Sequence, residues 1–208
     1  RADFDSWEAL GNPGWGYQDV LPVFRKLEHF ERRADTYRGQ GGPLWISDPV
    51  AKEQSSYDFI SAAEQLGHAN LEDMNGAESD GVGFMQHTIK NGQRHSAYAA
   101  FVAPIRNRPN LTVRTDCLVQ RVSFEGRTAT GIEVLCNGAV QKVAAAREVI
   151  LSGGAINTPQ LLMLSGVGPG QELQRHGIAQ VLESPGVGKN LQDHFYVHTG
   201  WRATPDSS

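Results

Sequence analysis

The sequence predicts an α/β protein, and three observations carry that prediction. Apolar stripes of helical period occupy the first half, short β-branched runs separated by turn dipeptides fill Leu111 to Ala145, and a strand, a glycine turn and a helix follow one another from Arg147 to Leu164.

In chain order, Asp5 is expected to cap a short helix through Leu10, and Asn12-Pro13-Gly14 to force a turn. A second helix from about Gln18 carries Val20, Phe24 and Leu27 as its stripe, with Pro22 tolerable only in its first turn. Tyr37 to Pro43 is a glycine-rich loop before a short strand, Leu44-Trp45-Ile46-Ser47. A third helix, capped by Ser55 or Ser56, turns Phe59, Ile60, Ala63 and Leu66 inward and ends at Gly67. Asn70 to Gly92 is loop-like, rich in Asn, Asp, Gly and Ser, and Ser96 then caps a helix bearing Phe101, Val102 and Ile105. Leu118 to Phe124, Thr130 to Leu135 and Ala139 to Ala144 form a three-stranded meander; its second turn, Asn137-Gly138, has the residue types a type I′ hairpin demands.

The stretch with most chemical content comes next. Glu148-Val149-Ile150-Leu151 reads as a strand buried on both faces of a parallel sheet, and it ends in Ser152-Gly153-Gly154. Asn157 or Thr158 is expected to cap the helix that follows, with Pro159 in its first position and Leu161, Leu162 and Leu164 inward. A strand, a tight glycine turn and a capped helix bring backbone close to a dinucleotide.

Bulk properties narrow the function classes. The 208 residues and 39% hydrophobic content suffice for a real core, and 23 acids against 19 bases are spread without any like-charge run longer than Arg32-Arg33. That pattern argues against a nucleic-acid surface and favours small neutral ligands. Cys117 and Cys136 lie outside any metal-ligand spacing and are expected as reduced, buried thiols. The longest apolar candidate, Gln160 to Val167, is too short and glycine-broken for a transmembrane helix. Arg1 at the start, with no signal peptide, and Val197-His198-Thr199-Gly200-Trp201, a strand-like alternation that stops at Ala203-Thr204-Pro205-Asp206, read as an internal segment of a longer protein.

Other motifs resolve into ordinary structure. No Gly-x-Gly-x-x-Gly opens a helix after a strand, and Gly81-Val82-Gly83 and Gly166-Val167-Gly168-Pro169-Gly170 read as turns. His194 and His198 share a face of an expected strand while standing about 13 Å apart, too far for one metal ion. His29, His68, His87, His95 and His176 lack paired ligands, and no metal site is expected. Ser165 lacks the preceding glycine of a nucleophile elbow. No catalytic set is visible.

The segment from Gly154 to Gly168, Gly-Ala-Ile-Asn-Thr-Pro-Gln-Leu-Leu-Met-Leu-Ser-Gly-Val-Gly, resembles the second signature of the glucose-methanol-choline oxidoreductases. Arg147 to Leu151 before it, and Gly177-Ile178 and Pro185 to His194 after it, run as the family does. Asp3 to Trp7, Gly14 to Tyr17, Val20 to Phe24, Gly41 to Leu44 and Arg108 to Val113 are similar to the bacterial branch that holds choline dehydrogenases and related alcohol dehydrogenases. Gly92 to Ser96 resembles the run that leads back into the flavin domain.

The resemblance implies FAD as cofactor and oxidation of an alcohol to a carbonyl by hydride transfer to the flavin. It implies part of a discontinuous, Rossmann-like FAD-binding domain with a three-stranded meander, plus pieces of a substrate domain. The boundaries expected are 1–90 for a helical lid and substrate-domain portion, 91–188 for the returning part of the FAD domain, and 189–208 for the start of a further substrate-domain segment. The family's phosphate loop and catalytic histidine have no counterpart in this chain. By matching position, Val119 touches the adenine end of FAD through its backbone, and Ser152, Gly153 and Gly154 form the turn beside the cofactor. Gly153 stands where the family often has alanine. The implied partners are a small alcohol and an electron acceptor, whether oxygen, a quinone or another carrier. A cytoplasmic location is expected, with membrane association of the intact protein left open. Two other readings stay in view: a non-catalytic nucleotide-binding domain, and a lyase of the same family.

Overall fold

The computed structural model describes residues 1–200 and Arg202. Contacts divide these residues into two compact units, one built from residues 1–112 with Arg202 and the other from residues 113–200.

In the first unit, α1 (Ala2–Ala9) and α2 (Tyr17–Leu27) are joined by the expected turn. Asp5 does not cap its own helix, which begins three residues earlier. Its carboxylate accepts the Tyr17 N–H at 2.9 Å and so caps α2. That bond, with help from Arg1, holds the Asp5 carboxyl below its usual range. Because α2 starts at Tyr17, Pro22 lies in its interior rather than its first turn, and one ladder bond, to the Gln18 carbonyl, is lost. Two short strands, β1 (Glu28–Phe30) and β2 (Leu44–Ile46), pair in parallel.

Arg38 anchors this region. Its side chain is 4% exposed and forks onto Glu28, at 2.6 and 3.2 Å, and onto Asp73, at 2.7 and 2.9 Å. The guanidinium also lies 3.8 Å from the centroid of the buried Phe30 ring. Burial works against the Arg38 charge, but the Glu28 and Asp73 carboxylates outweigh it and raise the Arg38 pKa.

The third helix, α3 (Gln54–Gln65), is capped by neither Ser55 nor Ser56; Glu53 holds the N-cap position without a side-chain bond. Its buried stripe is narrower than expected, with Ile60 buried while Phe59 and Leu66 are 54% and 81% exposed. The 70–92 stretch is not wholly loop. Asn91 and Gly92, at φ 51° and 74°, turn a two-residue hairpin between β3 (Ile89–Lys90) and β4 (Gln93–Arg94). The helix expected after Ser96 is a π-helical turn, Tyr98–Val102, running into a 3-10 turn, Ala103–Ile105. Pro104, which has no N–H, breaks the ladder there.

The second unit holds the expected meander as an antiparallel sheet in the order β5 (Cys117–Glu125), β6 (Thr128–Cys136), β7 (Ala139–Ala144). Asn137 and Gly138, at φ 51° and 77°, form its second turn. Two irregularities interrupt the β5–β6 register, one between Val119 and Arg121 and one between Ser123 and Phe124. The first leaves Gln120 as an extra residue on β5, and the second leaves Thr130 extra on β6. They cancel, so Cys117 lies opposite Cys136. The two cysteines form a disulfide with Cα atoms 4.4 Å apart, in place of the expected free thiols.

After the meander, Glu148 to Leu151 joins no strand, contrary to expectation. A strand needs a ladder partner, and none of the described residues supplies one; Ile150 is accordingly 76% exposed. Then follow α4 (Gly154–Leu164), β8 (Val167–Gly168), α5 (Gly170–Arg175) and β9 (Leu182–Glu183), with β8 and β9 paired in parallel. From Lys189 to Gly200 no strand forms, so the one expected around His194 and Val197 is absent; Trp201 and the residues from Ala203 on lie outside the described residues.

Candidate functional site

The second unit brings together three of the four residues singled out in the sequence. Val119, Ser152 and Gly153 line one cavity of about 390 Å³, whose apolar walls come from Leu118, Ile150 and Leu161 and whose polar groups include Asn157 and Gln160. Gly154 does not line it but shapes it, as the first residue of α4.

One side of the cavity is the free edge of β5, the outer strand of the meander. The 4.4 Å Cα separation at Cys117 and Cys136 is that of a cross-strand pair whose backbone groups point away from each other. Two residues on, Val119 repeats that phase opposite Val134, so its N–H and C=O face outward. The bulge at Gln120 shifts the phase by one residue, and Val122 again faces outward. Its N–H donates to Ser165 Oγ at 2.8 Å, which fixes the sense of the edge. On the same strand Arg121 forks onto Glu133 at 2.7 and 2.9 Å. That hydrogen bond, opposed by desolvation, holds the Glu133 carboxyl below its usual range.

The other side is the turn from Ser152 into α4. Gly153 is the N-cap, and neither Asn157 nor Thr158 caps the helix in the expected sense, because α4 begins at Gly154. Thr158 instead reaches back, its Oγ1 accepting the Gly153 N–H at 3.0 Å. Pro159 therefore stands inside α4, and the carbonyl it would have bonded, that of Ala155, loses its ladder partner.

The two glycines do different things. Gly154 adopts φ +83°, a left-handed conformation that favours glycine, and a Cβ there would meet nothing within 4 Å. Open space on that side lets another molecule approach the main chain. At Gly153 a Cβ would come within 3.2 Å of Asn157 Cβ and 3.3 Å of Thr158 N, so the alanine common in the family fits with a shift of a few tenths of an ångström.

The cavity thus offers an apolar floor, one outward N–H and C=O pair on a strand edge, and an uncrowded glycine turn. These suit a flat ring with polar atoms along one edge, such as a purine, and the residues present fit the adenine end of a dinucleotide. Among the described residues no group of His, Cys, Asp or Glu is arranged to hold a metal ion, and no helix is long and apolar enough to cross a membrane. Sequence reasoning weighs Ser165 only as a nucleophile and misses it as a structural link, although a serine before glycine at a helix terminus is free to bond an adjoining strand.

Human mitochondrial choline dehydrogenase is 45% identical over 196 residues, covering 94% of this chain and 33% of that protein. Pyridoxine 4-oxidase from Mesorbium loti superposes with a TM-score of 0.86 at 35% identity, over 93% of this chain and 38% of its own. An FAD-dependent oxidoreductase from Chaetomium thermophilum superposes equally, with a TM-score of 0.86 at 32% identity, over 92% of this chain and 36% of its own. The chain spans about a third of the length of the curated relatives it matches. Since residues 1–196 match the family described as GMC oxidoreductase, the chain belongs to that family.

Proposed function

We propose that this chain supplies the adenine-side support of FAD in an enzyme that oxidises an alcohol to a carbonyl. The observation that carries the reading is the convergence of the outward backbone of Val119 with Ser152 and Gly153 on one cavity. In this reading Val119 pairs with the adenine edge through its main chain, and Ser152, Gly153 and Gly154 let the backbone lie close to the cofactor. FAD, when bound, supplies the hydride acceptor. The chain's own residues bind and orient the nucleotide, and Leu118, Ile150 and Leu161 offer apolar surface to its ring.

The finer parts belong to the same proposal. Residues 1–90 form a lid and substrate-side portion, 91–188 return to the FAD domain, and 189–208 begin a further substrate-side segment. The match to about a third of each relative supports reading the reaction as that of a longer protein, in which this chain alone does not turn over alcohol. The substrate class is a small alcohol; choline is the first to try, because the human relative is named a choline dehydrogenase. The electron acceptor is oxygen, a quinone or another carrier. A cytoplasmic location is retained for this chain, while the human relative is mitochondrial by name.

The test is to purify the protein from its complete reading frame, record its flavin absorbance, and add choline and a panel of primary alcohols without oxygen. The expected result is a retained flavin that at least one alcohol bleaches. A retained flavin that no alcohol bleaches would favour a lyase, and a protein without flavin would favour a non-catalytic domain.

A further inference from the structure

We infer that Ser165 is a positioning residue for the cofactor cavity: it fixes the distance between the β5 edge at Val119 and the glycine turn at Ser152 to Gly154. The inference rests on the reading of that cavity as the adenine end of an FAD site.

The two walls of the cavity belong to different elements. Val119 is on β5, and the glycine turn opens α4. Ser165 is the C-cap residue of α4 and is 7% exposed. Its hydroxyl uses both of its capacities. It donates to the Leu161 carbonyl, one turn back in α4, and it accepts the Val122 N–H from β5 at 2.8 Å. One oxygen thereby clamps the end of the helix to the edge of the strand.

The location of the clamp gives it a specific consequence. Val122 and Val119 face the same way only because of the bulge at Gln120. The bulge leaves its extra residue unpaired and interrupts the ladder locally, so the edge at Val119 draws on contacts to either side of it. On one side of it the Cys117–Cys136 disulfide fixes the register. On the other, the Ser165 bond to Val122 fixes the edge itself. Removing the hydroxyl leaves the N–H of Val122, which is 5% exposed, without its acceptor. The strand and the helix can then move apart, and the outward groups of Val119 lose their set distance from Gly153. Alanine removes both bonds, cysteine keeps the size but bonds weakly, and threonine keeps the hydroxyl.

The experiment measures FAD affinity of the protein from its complete reading frame, stripped of flavin and titrated with FAD, for wild type and for Ser165→Ala, Ser165→Cys and Ser165→Thr. Competition by ADP, which shares the adenine end, is measured on the same samples. The expected result is FAD and ADP binding about tenfold weaker for the alanine variant, a change of the size that a single hydrogen bond contributes, intermediate for cysteine and near wild type for threonine. Should the alanine variant fail to fold, the cysteine and threonine pair carries the comparison. Affinity within about twofold of wild type for the alanine or cysteine variant, a difference smaller than one hydrogen bond, would overturn the inference, as would equal losses for threonine and cysteine. A wild-type protein that binds FAD while the variants behave alike removes the Ser165 role alone. A wild-type protein that takes up no FAD removes the cavity reading, and this inference with it.

Discussion

Replacing Arg38 with methionine lowers the unfolding free energy by about 3 kcal/mol, because it strips the cation from a largely buried ionic cluster. The Glu28 and Asp73 side chains are each 18% exposed and both aim at the guanidinium, so without it two carboxylates face each other in a poorly solvated place. The stacking of Arg38 on Phe30 goes as well. The Glu28 and Asp73 positions lie 45 residues apart in sequence, so the cluster ties the start of β1 to the distant 70–76 loop. Arg38→Lys keeps the charge but not the fork, and it loses less. Denaturant unfolding of the two variants against wild type checks the expectation; a methionine variant as stable as wild type would mean that the cluster contributes nothing net.

The second large effect is at the disulfide. Opening the Cys117–Cys136 bond, which closes a loop across 19 positions, costs about 3 kcal/mol in the chain-entropy account. Wild-type protein is therefore expected to unfold at lower denaturant concentration once a thiol reductant is added. The double variant Cys117→Ser with Cys136→Ser is expected to unfold at that lower concentration with or without reductant. If reductant leaves the wild-type midpoint where it was, the cysteines are thiols in the purified protein, as the sequence alone suggested.

That disagreement shows what kind of information a sequence of this sort holds. Local chemistry was readable: Asn137-Gly138 marked its hairpin because only a few residue types take two left-handed positions in a row. The Asn91-Gly92 hairpin carries the same signal, but its strands are only two residues long and have no alternation to announce them. The disulfide was hidden behind a spacing that means nothing by itself. Folding the meander about Gly126-Arg127 would have set Cys117 opposite Cys136, because the bulges at Gln120 and Thr130 cancel.

Apolar character proved a weaker guide to pairing. Val149, Ile150 and Leu151 have the composition of a buried strand, yet strand formation needs a neighbour, which no local pattern supplies. Likewise Asp5, from the preceding helix, accepts the first N–H of α2, and Thr158 reaches back to the Gly153 N–H, neither standing where helix rules place a cap. At the candidate site, Val119, Ser152, Gly153 and Gly154 came from family likeness. Their meeting around one cavity, and the bond from Ser165 to Val122 across 43 residues of chain, depend on tertiary contacts that no local pattern announces.

The most direct measurement of the central claim is a crystal structure of the flavin-loaded protein from the complete reading frame. The account predicts the adenine edge at hydrogen-bonding distance, about 3 Å, from the N–H and C=O of Val119, with the Ser152 to Gly154 turn against the same cofactor. Adenine bound elsewhere, with the outer edge of β5 at Val119 covered by another strand, would contradict it.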